Sequence, residues 1–293
     1  FARPPSCTST SCHLAMEQLS NLWGKLKDGS LCRERPLEVW GVSLVLVGGV
    51  ALLAQAVLSS DSKPTAAQAA FEEGKAVVLA SGKAVKVVRV PNTSSGISAA
   101  AATLGKQLGS SPLTAAFAAA NLDAAGREKA ATWLYRTILK TSVPNKSNTL
   151  TLQTEDASAV GIWYPPGTSF DTWDFINAGG LCYTLMFSGW ERRLRFPAHG
   201  QVVSIKRRTA LRKFDGKGYY LMAAGAGTGD EQDVEAVVKP VLALADKEGL
   251  PAITESDTPA RKALLEGLGF KAVDSVAALS VGVEIMLRQP SAV

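Results

Sequence analysis

Few side chains in this sequence are of the kind that make or break bonds. The 293-residue chain has two histidines, His13 and His199, and no Ser/His/Asp arrangement, which leaves little support for a hydrolase. The four cysteines, Cys7, Cys12, Cys32 and Cys182, include no C-x-x-C pair, and Cys12 beside His13 does not complete a four-ligand zinc site. They read as free thiols of a reducing compartment. No catalytic constellation and no metal site are expected. The strongest chemistry is electrostatic. From Trp190 to Lys217, nine basic residues against two acidic ones give +7, more than the +5 of the whole chain. Arg192, Arg193, Arg195, Lys206, Arg207, Arg208, Arg212 and Lys213 are its core. Such a cluster suits anionic lipid headgroups or an acidic protein surface, and a solvated basic loop would have the same composition. No nucleic-acid-binding motif accompanies it, so nucleic acid is not an expected partner.

The elements that must hold these residues begin with a membrane segment. Val39–Leu58 is twenty residues without a charge, and at 1.5 Å per residue such a helix spans about 30 Å, the thickness of a bilayer core. Trp40 stands where an interfacial aromatic belongs. Gly41, Gly48 and Gln55 recur every seven residues along one face, which lets another transmembrane helix approach closely. Gln55 can hydrogen-bond across that contact, bond to its own helix backbone, or hold the metal of a pigment through a water. Upstream, Ala15–Leu26 can form an amphipathic helix with Trp23 near a basic edge. The first twelve residues are Ser/Thr-rich with Arg3 and no acid, a composition resembling a plastid transit region, and Phe-Ala-x-Pro at the start is similar to a secondary-plastid cleavage site. The expected organisation is a tail (1–38), a transmembrane helix (39–58), a polar linker (59–75) and a folded domain (76–293).

Within the domain, Ala76–Ala80 and Val85–Val90 read as a hairpin around Ser81-Gly82, and Thr149–Thr154 with Ala159–Tyr164 as a second across Glu155-Asp156. Ile97–Leu108 and Ala124–Lys140 carry helical periodicity. The sixteen residues of Thr172–Phe187 are too short and too interrupted for a second span. Tyr219–Ala224 reads as a strand, and Gly225, Gly227 and Gly229 then break regular structure. From Asp233 the apolar residues Val234, Val237, Val238, Val241 and Leu242 return on one helical face, with Asp230, Glu231, Asp233 and Glu235 in or before its first turn. Ala252–Glu255 is a short strand, Asp257 with Pro259 caps and opens a helix through Leu268, and Lys271–Leu279 with Val281–Arg288 closes the sheet. Strand, helix, strand implies parallel strands and a right-handed crossover.

This order, ending in EGLGF, with SSPLTAAF at Ser110–Phe117, ATWLYRTIL and GIWYPPG at Gly161–Gly167, resembles the GNAT N-acetyltransferase superfamily over roughly Val85–Gln289. The resemblance implies an α/β (α+β) fold: a GNAT-like mixed central sheet flanked by helices, here preceded by one transmembrane helix. It makes Ala76–Ala80 an added edge strand. It also implies acetyl-CoA, held at a glycine-rich Gln/Arg-x-x-Gly-x-Gly/Ala turn before a helix. Anchored on VVKPVL, the glycine positions of that turn fall on Asp230, Gln232 and Val234, whose side chains and carboxylate neighbours oppose a pyrophosphate. A shifted register would use Gly225, Gly227 and Gly229. Leu265 stands where the family often places a thiolate-protonating Tyr.

Two functions follow. The favoured one is a non-catalytic accessory subunit of a membrane protein complex, without cofactor, binding other subunits through its transmembrane helix. Its expected location is an organelle membrane, with a plastid thylakoid photosystem-antenna assembly as the natural host. The alternative is a membrane-anchored, acetyl-CoA-dependent N-acetyltransferase using His199, Tyr219, Glu255 or Asp257 as base. No constellation in the sequence selects one of these four.

Overall fold

The computed structural model describes residues 71–291, apart from 72–73, 80, 81, 83, 119–120, 145–148, 169–194, 229–230 and 279–280. The expected span Val39–Leu58, with Gly41, Gly48 and Gln55, therefore lies outside the described residues, as do Thr172–Phe187 and all four cysteines. Among the described residues no helix is long and apolar enough to cross a membrane.

Eight strands form one sheet: β1 (Lys75–Val78), β2 (Ala84–Arg89), β3 (Leu150–Thr154), β4 (Ala159–Tyr164), β5 (Tyr219–Ala226), β6 (Ala252–Ser256), β7 (Lys271–Ala278) and β8 (Val281–Arg288). Their spatial order is β1-β2-β3-β4-β5-β6-β8-β7. Every neighbouring pair is antiparallel except β5 and β6. The two expected hairpins and the closing strand pair are present, and β1 is an edge strand. Strands β3 and β4 are buried at every residue because helices cover both faces of the sheet. At the turn between them Ala157 has φ 55°. The Asp156 carboxylate there is held at about 2 by hydrogen bonds from Thr154 and Ser158.

Helices α1 (Ser94–Leu108), α2 (Pro112–Phe117), α3 (Ala124–Ser142) and α4 (Arg195–Ala210) precede β5. Helix α5 (Glu235–Glu248) links β5 to β6, and α6 (Pro259–Gly267) links β6 to β7. Side chains of Thr93, Ser111 and Asp123 cap α1, α2 and α3. One face of the sheet packs Trp163, Tyr219, Leu221, Val237, Leu265 and Phe270 together with α5 and α6. The other face meets α1 and α3 through Leu104, Ile138, Leu139 and Ile162, and α4 through Val203 and Ile253. Helices α1 and α3 touch at Gly105, where an added Cβ would lie 2.7 Å from the Thr132 Cα.

Three expectations need correction. Phe71, placed in the linker, is 2% exposed and belongs to the core, where burial of its ring is favourable. Gly225 does not break β5; it pairs with Val160 inside the strand, and its missing side chain admits Gln107, whose Cβ would lie 3.0 Å from a Cβ there. The cap of α6 is Thr258, not Asp257, since the residue directly before Pro259 accepts from the Arg261 N–H. Asp257 instead accepts from Ser111 Oγ and from the Leu113 N–H at 3.0 Å, tying α2 to the end of β6.

Candidate functional site

Strands β5 and β6 share three rungs, Tyr219↔Ala252, Tyr220↔Ile253 and Leu221↔Thr254, and then run on without pairing. A bulge against β4 falls at Met222, just past the last rung. The carboxyl ends of parted parallel strands form the crevice in which open α/β sheets take ligands. Beyond the bulge the pairing with β4 fixes where the backbone points. Gly227 donates to the Ser158 carbonyl, so Gly225↔Val160 is also a hydrogen-bonded pair, while Ala226↔Ala159 and Ala224↔Gly161 are not. The backbone groups of Ala224 and Ala226 are therefore turned toward β6, where a ligand entering between the strands would pair with them.

Both residues already have side-chain partners. Arg261, rising from the first turn of α6 and only 8% exposed, donates from Nη2 to the Ala224 carbonyl at 2.8 Å. Gln107, from the last turn of α1, accepts the Ala226 N–H through Oε1 at 3.2 Å. A guanidinium and a carboxamide thus sit on the edge that a ligand entering between the strands would meet.

The turn before α5 is no more accommodating. Glu231–Val234 forms a 3-10 turn, and the Val234 side chain is fully buried in the core, so it cannot be exchanged for open backbone. Thr228 Oγ1 donates to Asp233 Oδ2 at 2.8 Å, and Glu235 pairs with Lys239 at 2.6 Å. Helix α5 opens without a side-chain cap, directly after that turn, and Glu235 in its first turn opposes a phosphate. Gly225 lies within β5 and Gly227 in the turn after it; Gly229 lies outside the described residues. Leu265 is buried in the core and offers no proton. The residues present do not fit acetyl-CoA in this arrangement.

Of the four candidate bases, one reaches the parting of the strands. Glu255 is the first β6 residue past the last rung. Its Oε2 accepts from the Tyr220 hydroxyl at 3.0 Å, and its Oε1 lies 3.5 Å from Arg207 Nε. The Arg207 guanidinium carbon stands 3.7 Å over the Tyr220 ring, and the Tyr164 ring stacks on Tyr220 at 6.1 Å. Burial raises the Glu255 carboxyl above the usual carboxylate range, against the opposing pull of Arg207 and the Tyr220 hydrogen bond. Burial likewise pushes the Tyr220 phenol well up. Arg207 Nε and Glu255 Oε1 are both buried and neither has a hydrogen-bond partner.

The other candidates are placed elsewhere. The Tyr219 hydroxyl donates to Glu248 Oε2 at 2.7 Å on the opposite face, and Asp257 serves α2. His199 is half-buried on α4, and burial lowers its pKa. Tyr220, Tyr164 and Arg207 were not named with Glu255 by the sequence. Alternation from Tyr220 to Met222 could have placed Tyr220 on the right face, but nothing local joins it to Arg207.

The basic cluster is smaller than its composition implies. Arg207 belongs to the buried group above, and Lys206 pairs with Asp274 at 2.8 Å because α4 lies against β7. Arg208, Arg212 and Lys213 are exposed, Arg195 opens α4, and Arg192 and Arg193 lie outside the described residues. Among the described residues no group of three His, Cys, Asp or Glu could hold a metal ion.

No known family profile matches the chain. An uncharacterized N-acetyltransferase of Schizosaccharomyces pombe is 26% identical over 149 residues, which cover 48% of this chain and 60% of that relative's length. A solved histone acetyltransferase HPA2 and related acetyltransferase from Corynebacterium glutamicum is 11% identical, over 70% of this chain and 96% of that one, with a TM-score of 0.44. A Drosophila melanogaster polyamine N-acetyltransferase is 13% identical, over 69% of this chain and 98% of that one, with a TM-score of 0.41. The strand order, the lone parallel pair at β5 and β6 and the helices on both faces give the described domain a GNAT-like acetyltransferase fold.

Proposed function

We propose that this chain is a GNAT-fold accessory module of a membrane protein complex that does not transfer acetyl groups. The observation that carries this reading is Arg261 lying between the parted strands, bonded to the Ala224 carbonyl where a cofactor would pair. Gln107 on Ala226 and the buried Val234 add to it. The uncharged stretch Val39–Leu58 supports a membrane tether, for which an organelle membrane, a plastid thylakoid favoured, is the proposed setting. The likeness to named N-acetyltransferases supports a common fold, while function rests on the site.

The direct test is a calorimetric titration of the full chain in mild detergent with acetyl-CoA. No heat of binding is expected through the micromolar range. Micromolar binding by the parent chain overturns the proposal. The second reading, a membrane-anchored N-acetyltransferase, is favoured by one observation: a carboxylate of raised pKa, Glu255, held by Tyr220 at the first step past the last rung. Under that reading acetyl-CoA displaces Arg261 and the parent chain binds it. Under ours, only a variant such as Arg261→Ala gains affinity.

A further inference from the structure

Helix α4 was legible in the sequence only as charge, and its fold-back onto β7 and β8 divides it into two sides. Val203, Arg207 and Leu211 face the core at spacings of four, and Lys206 is fixed by Asp274. On the opposite side stand Val202 at 43% exposure and Ile205 at 61%, two of the largest exposed aliphatic side chains among the described residues. Arg208 continues that side at a spacing of three from Ile205, and exposed Arg212, Lys213 and Lys217 follow beyond the end of the helix. The one exposed carboxylate in this segment is Asp215.

Exposed aliphatics flanked by long cationic side chains are the composition of a helix that lies in the headgroup plane of a bilayer, its apolar residues dipping toward the acyl boundary and its cations at the phosphates. We infer that the outer face of α4 docks onto an anionic lipid surface. Charge complementarity selects anionic lipid over neutral lipid, and the pairing of Ile205 with Arg208 on a convex helix, with Arg212 just past its end, suits a fluid surface. The inference rests on the membrane setting proposed above. Each exposed cation then strengthens the contact by roughly fivefold.

The test is hydrogen exchange of the full chain on nanodiscs of zwitterionic lipid and on nanodiscs rich in phosphatidylserine. Slower exchange of the Val202–Lys213 amides on the anionic discs alone is expected. That protection should be lost in R208E/R212E and reduced in Ile205→Asn, with exchange in β3 and β4 unchanged as the control for folding. Equal exchange on both lipids, protection that survives the charge reversal, or protection that requires an added acidic protein each overturns the inference. Carbonate extraction separates this from the tether. A chain that resists extraction without lipid-dependent protection loses only the docking face, and one that is extracted yet protected on anionic discs loses only the tether.

Discussion

At the scale of single residues, Glu255 and Arg207 are a buried pair whose nearest atoms stand 3.5 Å apart, just beyond a good hydrogen bond. Tyr220 supplies what the pair lacks, a hydroxyl to one carboxylate oxygen and a ring beneath the guanidinium. Because burial raises the Glu255 pKa, the folded state holds that proton more tightly than the unfolded chain does. The contribution to stability is therefore fully present below the ordinary carboxylate pKa and is lost as pH rises through the raised folded value. Glu255→Gln should remove this dependence. Unfolding free energies of parent and variant, followed from neutral to mildly acidic pH, should show the parent gaining on the variant as pH falls. At neutral pH the variant should compare best with the parent, since Gln carries no charge into the site there.

At the scale of elements, the contact of α1 with α3 depends on a residue without a side chain. A Cβ on Gly105 would lie 2.7 Å from both the backbone N and the Cα of Thr132, so a rotamer change cannot relieve it. Gly105→Ala should cost about 1–3 kcal/mol in urea unfolding, despite the better helix propensity of alanine. Gly200 in α4 makes the useful contrast, because nothing lies within 4 Å of its added Cβ. Gly200→Ala should stabilise by up to about 1 kcal/mol. Opposite signs for the same substitution would show that close helix approach, and not intrinsic propensity, sets the choice of glycine at position 105.

At the scale of the whole molecule, the last strand is fastened to α5 by Arg288, which grips both Asp246 oxygens at 2.7 and 2.8 Å while the Ser291 N–H donates to the same carboxylate. The Arg288 hydrogen bonds hold the Asp246 carboxyl below its usual range. The sign is opposite to that of Glu255: this stability is present above the ordinary carboxylate pKa and is lost as pH falls through the depressed value. Asp246→Asn should lower stability by about 2 kcal/mol at neutral pH and flatten the acid limb of the profile. The proposed tether also belongs to the scale of the whole chain. Val39–Leu58 should hold the protein in the membrane pellet through carbonate extraction, and release of intact chain would remove the membrane setting.

The sequence by itself determined the order of the elements and most of their ends. Hairpins at Ser81-Gly82 and Glu155-Asp156, the helix of α5 with its stop at Gly249, and the closing strand pair are all written in local periodicity and turn residues, which act within a few positions of the chain. That Asp230, Gln232 and Val234 stand where glycines would be wanted is what the resemblance to the GNAT superfamily implies with the register anchored on VVKPVL. Only the tertiary structure decided which side chains meet at the parting of β5 and β6. Arg261 reaches a carbonyl 37 residues away and Gln107 an amide 119 residues away, and contacts over such separations leave no local pattern. For the same reason the basic cluster misled: charge counts do not distinguish Arg207, buried against Tyr220 and Glu255, from Arg208 beside it in solvent. One helical step of 100° separates the two, and the face that α4 turns to the sheet is set by packing of Val203 and Leu211, not by charge.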